Sequence, residues 1–515
     1  MEQNIQEIRW NNINHLIKDN ANRLKNKNFL IFGDNDSKDH IISYLEFEEI
    51  TNKTANLLLS LGIKKHDKVS TILENSLELI YLMFASFKIG AVFNPLNPKL
   101  STEELKYLIN DAESKIVFVN QQKELGIKGT NSTKFIDIKK FKQELKTQQT
   151  SFNPTEEITI ENEALLIYSS GTTAKPKGII LTQKNLLSCS MSVARFLKLK
   201  EEMIILDSLP LFFSGGIIPT LFTTTCIGAT VVVHEKFSKT KFWKRIEKYK
   251  INWTLLVPTM TSILLNPPED IKKYNLESLK YIISSAAPLP IEVLKKFEEE
   301  FNIPLFEAYG LSEDTVWTTM TPLDIKKRKI GSVGVEIDIS KVRIVDDDDK
   351  PLESEKVGKI ITKGPHIMKG YYKMPELTEQ TIKKSWLYTG DLGYMDKEGY
   401  LYIVGREKEL IIRGGENISP KEIDNVLYKH PAIADAAVAG IPDKIYGEEI
   451  AAFVILKENQ EKTQEEIKTI EKEIIEHCKK HLAEYKCPKT VKFIKNIPVT
   501  GSGKVQRRKL AKLLD

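Results

Sequence analysis

The stretch Tyr168-Ser169-Ser170-Gly171-Thr172-Thr173-Ala174-Lys175-Pro176-Lys177-Gly178 decides the reading of this chain. The apolar run Ala164 to Tyr168 leads into it, so the segment reads as a strand that ends in a loop of small hydroxyl residues, glycine and two lysines. Such a loop can turn backbone N–H groups and hydroxyls toward phosphate oxygens while lysine neutralises their charge. It is not a Walker A loop, because the G-x-x-x-x-G-K-[ST] spacing is absent. Taken alone, an exposed Ser/Gly loop is an equally good reading. The rest of the chain has to decide.

On the amino-terminal side, helix and strand signals alternate. Ser43 and Glu46 make a capping-box pattern before an apolar-periodic stretch that ends near Gly62. The apolar run Lys68 to Leu73 is followed by a helical pattern from Ser76 that stops at Gly90. A second capping box at Ser101 and Glu104 precedes the strand-like Ile116 to Val119. The rhythm resumes at Thr230 to Val233, Trp253 to Val257 and Tyr281 to Ser284. Strands alternating with helices predict βαβ units and mostly parallel sheets, an α/β fold in layers. Beyond about Gly331, shorter runs split by Gly, Pro and Asp (Lys341 to Val345, Gly358 to Thr362, Tyr400 to Val404) predict a β-rich subdomain. Asp346 to Asp349 reads as a solvated turn between two of its strands. From about residue 409 a helix after Pro420, strands near Ala434 to Ala439 and Ala451 to Leu456, and a charged helix from Thr463 to Lys480 predict a small α+β unit.

Composition narrows the function. A length of 515 residues favours cooperating domains around a large core. The 75 basic and 70 acidic residues leave a net charge of +5, too small an excess to suggest a nucleic-acid partner. Cys189, Cys226, Cys478 and Cys487 lie at spacings that suit neither a disulfide framework nor a metal site, which points to a reducing compartment. Met1 to Leu16 carries no basic segment followed by an apolar run. No stretch reaches the ~18 consecutive apolar residues of a membrane span. The expectation is a cytoplasmic enzyme without a transmembrane segment, with loose membrane contact left open.

Four further motifs stand with the opening stretch: Tyr309-Gly310-Leu311-Ser312-Glu313, Tyr388-Thr389-Gly390-Asp391, Gly405-Arg406-Glu407-Lys408 and Gly501-Ser502-Gly503-Lys504. Together, in this order and over nearly the whole chain, they resemble the adenylate-forming superfamily of acyl-CoA synthetases, peptide-synthetase adenylation domains and luciferases. The resemblance implies a large amino-terminal domain (1–405, with the β-rich subdomain at about 331–405), a hinge (406–408) and a mobile carboxy-terminal domain (409–515). It implies that Ser169, Ser170, Gly171, Thr172, Thr173 and Lys177 hold the β- and γ-phosphates of ATP, with Ser169 or the Thr172/Thr173 pair near magnesium. Glu313 is then the carboxylate for Mg²⁺, a hard oxygen donor for a hard cation. Tyr309, beside Gly310, stacks on adenine next to Ser285, Ala286 and Ala287. Asp391 accepts the ribose hydroxyls and Arg406 contacts ribose or α-phosphate.

Lys408 occupies the hinge position, and Gly414-Gly415 resembles the segment lining the pantetheine path in members that use coenzyme A. Lys504 is implied as the cation that stabilises charge when the acid attacks the α-phosphorus. Many acyl-CoA synthetases carry Pro-Leu-Phe-His where this chain has Pro210-Leu211-Phe212-Phe213-Ser214-Gly215-Gly216, so Phe213 stands where histidine is common. By the resemblance, amino-acid-activating members hold the substrate ammonium with an aspartate in this segment; none lies in Phe212 to Gly216, which disfavours an amino-acid substrate. Phe212, Phe213, Gly215, Val257, Pro288 and Trp317 are the expected walls of the acid pocket. The implied reaction turns a carboxylic acid, ATP and coenzyme A into acyl-CoA, AMP and pyrophosphate. An acyl carrier protein is the alternative acceptor, and a non-catalytic sensor is disfavoured because Glu313 and Lys504 are both present.

Overall fold

The hydroxyl of Ser43 accepts the backbone N–H of Glu46, whose carboxylate accepts the backbone N–H of Ser43 in return, and the helix Tyr44–Ser60 starts there. Ser101 and Glu104 close the same box ahead of Thr102–Asp111, and Ser76 caps Leu77–Lys88. These are the local signals that satisfy the free N–H groups of a helix start. A computed structural model describes residues 8–33, 39–120, 133–169, 176–265, 267, 270–457, 463–500 and 504–514. Ser170, Gly171, Thr172 and Thr173 of the opening stretch, and Gly501 to Gly503, lie outside the described residues.

Among the described residues the strands form two large sheets and two smaller ones. The nine-stranded sheet has a parallel centre, in which Trp253–Leu256, Tyr281–Ser284 and Leu305–Tyr309 run side by side and Ile204–Asp207 pairs with Trp253–Leu256. These strands are nearly continuous apolar runs because helices cover both faces. The seven-stranded sheet contains Lys68–Ile72, Val92–Pro95 and Ser114–Val119 in parallel, and the hairpin Glu163–Ser169/Lys177–Thr182 beside them. Leu77–Lys88 is buried on almost every side, as a helix enclosed between layers must be. Its Phe84 and Phe87 share one core with Val69, Phe93 and Leu165 of one sheet and Leu30, Val231 and Trp253 of the other. The layered α/β architecture is therefore observed directly.

The β-rich unit is a five-stranded antiparallel sheet that begins at Lys341–Val345 and ends at Leu401–Arg406. The preceding strand Val335–Glu336 still belongs to the nine-stranded sheet. After the turn Glu407–Glu409 comes the carboxy-terminal unit, with its own sheet, its own core around Ile418, Val438, Ala452 and Ile474, and the helices Pro420–Leu427 and Gln464–His481.

The parallel centre of the nine-stranded sheet presents its carboxyl ends on one edge, where Ser208, Val257, Ser285 and Gly310 follow the strands. Such an edge is where α/β sheets bind ligands. Asp207, last residue of its strand, is fully buried there, and burial pushes its carboxyl up to about 8. Between the ordinary value of 3.8 and that raised value the folded chain keeps a proton that the unfolded chain has released, so stability falls as pH rises. Urea denaturation should show the wild type losing up to about 1.4 kcal/mol per pH unit relative to Asp207→Asn between about pH 5 and 7. Parallel pH dependences would mean that the carboxylate is ionised in the fold.

Candidate active site

The strand Leu305–Tyr309 ends in a compressed loop. Thr315 and Val316 sit at φ 56° and 95°, a region that β-branched residues rarely adopt and that costs about 1–3 kcal/mol per residue. Buried Asp314 offsets this cost by accepting the N–H of Leu311 at 2.7 Å and the hydroxyl of Thr318 at 2.8 Å. Thr315 donates to the carbonyl of His366 at 2.5 Å. Position 310 must be glycine, since a Cβ there would lie 2.1 Å from the Val316 carbonyl oxygen. The loop aims Glu313 at Tyr371, whose hydroxyl donates to Glu313 Oε1 at 3.1 Å. Lys177 Nζ stands 5.4 Å from the centre of the Tyr371 ring, and Ser169 faces Lys177 across the hairpin. The Lys177 ammonium and the Glu313 carboxylate thus meet around one tyrosine.

A second cluster joins three segments. The Tyr309 hydroxyl donates to Asp391 Oδ2 at 2.7 Å, and Arg406 Nε donates to Asp391 Oδ1 at 2.8 Å. Asp391 is 3% exposed, and these two donors satisfy its carboxyl oxygens. Burial, then the Asp391 carboxylate, raises the Tyr309 phenol well above its ordinary range and keeps it a donor.

Lys504 comes from the other domain. It is paired with Thr500, whose N–H donates to the Lys504 carbonyl at 2.7 Å and whose hydroxyl accepts the Lys504 N–H at 3.1 Å. Arg507, bound to Asp424 at 2.6 Å and to the Val438 carbonyl at 2.6 Å, anchors the following helix. The Lys504 side chain reaches solvent through the open cavity, yet protein surrounds it closely. That enclosure, followed by the Arg406 guanidinium, lowers its ammonium below the ordinary lysine range, while Asp391, Glu313 and Glu409 oppose the shift. Lys408 lies exposed on the connecting turn and lines the same cavity.

The cavity has a volume of about 1800 Å³ and takes walls from both domains. Phe213, Gly215, Val257 and Trp317 line it, together with Ser285 and Ala286. The Trp317 indole donates to Ser285 Oγ at 2.9 Å, and that hydroxyl donates to the Ala308 carbonyl at 2.9 Å. Two expected pocket walls are not there. Phe212 packs edge-on against Phe213, ring centres 4.7 Å apart, and is buried away from the cavity. Pro288 is exposed beyond the strand end and does not line it. Gly310, Ala286 and Gly390 line the cavity, whereas Tyr309, Ala287 and Asp391 beside them are not part of its lining. Gly414 and Gly415, at φ 60° and 89°, lie outside its lining.

Asn75, Tyr371 and Glu409 were not singled out from sequence. Asn75 donates to the carbonyls of Leu209 and His234, at 3.0 Å each, and accepts the Leu211 N–H at 2.7 Å, which fixes the segment bearing Phe213. Its signal was a polar residue between the strand Lys68–Ile72 and the helix cap Ser76, a position that usually means only a turn.

Comparison with known proteins fits this geometry. The sequence model described as AMP-binding enzyme matches residues 17–372, and that described as AMP-binding enzyme C-terminal domain matches residues 422–504. The chain belongs to the AMP-binding enzyme family. It is similar to the sulfoacetate–CoA ligase of Cupriavidus necator, 34% identical with 87% of this chain and 88% of that protein covered. It is likewise similar to the oxalate–CoA ligase of Arabidopsis thaliana, at 33% over 91% and 93% of the two chains. Among solved structures, o-succinylbenzoate coenzyme A synthetase from Bacillus subtilis in complex with ATP and magnesium ion matches with a TM-score of 0.84 at 29% identity, covering 96% of this chain and 98% of that one.

The shared Asp391 carboxylate gives a test. Asp391→Ala and Arg406→Ala should each weaken ATP binding by calorimetry, and the double variant should lose less than the sum, with a coupling of about 0.5–3 kcal/mol. Strict additivity would mean that the two side chains act independently.

Proposed function

We propose that this chain is an AMP-forming acid–CoA ligase, joining a carboxylic acid to coenzyme A at the expense of ATP. The observation that carries the reading is the convergence of Lys504 from one domain with Glu313 and the Asp391-bound Arg406 from the other at one large cavity.

In the proposed mechanism Lys177 and Ser169 meet the phosphate tail, and Asp391, fixed by Tyr309 and Arg406, accepts the ribose hydroxyls. Glu313, oriented by Tyr371, offers the oxygen ligand for the Mg²⁺ that accompanies ATP. When bound, that ion neutralises phosphate charge. The substrate carboxylate attacks the α-phosphorus, the bond to pyrophosphate breaks, and an acyl-adenylate forms. Charge grows on the oxygens around phosphorus, and the Lys504 ammonium stabilises it. The thiol of coenzyme A then attacks the acyl carbon and AMP leaves. Lys504 is at the cavity while Gly414-Gly415 is outside it, so the second step calls for a rotation of the small domain about Lys408.

The apolar wall of Leu209, Phe213, Leu255, Val257, Met260 and Trp317 favours an acid with an apolar body. A second reading, an acid with another anionic group, is favoured by exposed Lys236 on the lining and by relatives named for sulfoacetate, oxalate and o-succinylbenzoate. Four buried thiols without disulfides suit a reducing compartment, and we place the protein in the cytoplasm. Among the described residues no helix is long and apolar enough to cross a membrane.

Pyrophosphate release across fatty, aromatic, short-chain and doubly anionic acids, with and without coenzyme A, tests the activity. Release for one class, with thioester formed, is the expected result; release indifferent to coenzyme A would point to a carrier protein, and silence would defeat the ligase. Lys504→Ala should lower adenylate formation by at least about 100-fold while sparing thioester formation from supplied acyl-adenylate. Lys408→Pro should mainly slow the thioester step, and an unchanged rate would remove Lys408 as the hinge.

A further inference from the structure

Two side chains at the start of the helix Pro420–Leu427 forgo their usual local roles. Ser419 occupies the cap position but makes no side-chain bond to its own helix. A serine there ordinarily accepts a free N–H of the first turn. Its hydroxyl instead donates to the Val404 carbonyl at 2.5 Å, across the hinge. Lys421 places a cation in the first helical turn, the end where the macrodipole disfavours positive charge. Its ammonium donates to the Ile403 carbonyl at 3.0 Å, also across the hinge.

Both acceptors lie on Leu401–Arg406, the strand that carries Arg406. Lys421 further faces Glu307, on the strand that carries Tyr309, two residues before it. Burial raises the Glu307 carboxyl to about 7, and the Lys421 charge pulls it back. Burial lowers the Lys421 ammonium, while Glu307 and then Asp391 hold it up. One lysine thus senses the two strands that build the Tyr309–Asp391–Arg406 cluster, and a hinge separates it from both.

We propose that Lys421, assisted by Ser419, is a positioning residue for adenylate formation. It latches the carboxy-terminal domain in the arrangement that brings Lys504 to Arg406, Asp391 and Glu313, and the latch must open before the thiol step. The inference rests on the two-step ligase reading. A rotation about Lys408 would carry Ser419 and Lys421 away from Ile403 and Val404. The energy of these contacts therefore acts on the balance between the two arrangements, and a ligand can shift that balance only through its own preference for one of them.

The test needs a readout of domain orientation that does not depend on catalysis. All four native cysteines are buried, so thiol spin labels can be directed to Ile325→Cys on one domain and Ile445→Cys on the other, positions 55% and 84% exposed. Pulsed dipolar spectroscopy of the ATP-bound protein should give mainly the separation of the present arrangement. Adding Lys421→Met with Ser419→Ala should move a large share of molecules to a second separation, and Lys421→Arg should restore the first. Unlabelled Lys421→Met should lose roughly 10-fold in pyrophosphate exchange, with its KM for ATP little changed. Its rate of thioester formation from supplied acyl-adenylate should be equal to or above wild type. An unchanged distance distribution, or equal loss of both half-reactions, would overturn the latch. A wild type that exchanges no pyrophosphate with any acid would defeat the ligase reading, and the distance comparison would still decide the latch.

Discussion

The Asp391 carboxylate is the contact on which the site depends. One oxygen takes the Tyr309 hydroxyl and the other the Arg406 guanidinium, so the edge of the nine-stranded sheet and two strands of the β-rich sheet are tied at one buried carboxyl group. A carboxylate so enclosed cannot lose a partner cheaply. This bond fixes the end of the strand Leu401–Arg406, and the exposed turn Glu407–Glu409 follows it directly.

Rigidity on the large-domain side comes from layering. Helices enclosed between two sheets share a continuous core with both, so the carboxyl edge of the parallel strands is held from beneath. On that edge the chain can sustain conformations that would relax elsewhere, such as Val316 at φ 95° beside Gly310. Buried Asp314 and the Thr315–His366 contact over-determine the loop, and Glu313 projects from it in a fixed direction. Strain at this place is the cost of directing one carboxylate toward Tyr371 and Lys177.

The small domain contributes in the opposite manner. It folds around its own core and reaches the cavity through Lys504, steadied by the bonds to Thr500 and by Arg507 on Asp424. Among the described residues, Ser419 and Lys421 at the start of its first helix bond to carbonyls of the strand that ends at Arg406. Each domain keeps a core of its own on either side of these contacts.

Much of this was legible in the residues. The capping boxes at Ser43/Glu46 and Ser101/Glu104 and the turn at Asp346 to Asp349 depend on neighbours a few positions away, so the chain by itself determined them. The motif set likewise announced the family and the small α+β domain. Tertiary structure alone decided which side chains face the cavity: Phe213 and Trp317 do, whereas Phe212 and Pro288, equally apolar in sequence, do not. It alone joined Tyr371 to Glu313 across 58 positions and turned Lys421 onto Ile403 rather than solvent. Side-chain direction at a strand end, and pairing between distant segments, follow from how layers stack. Local periodicity carries no record of that stacking.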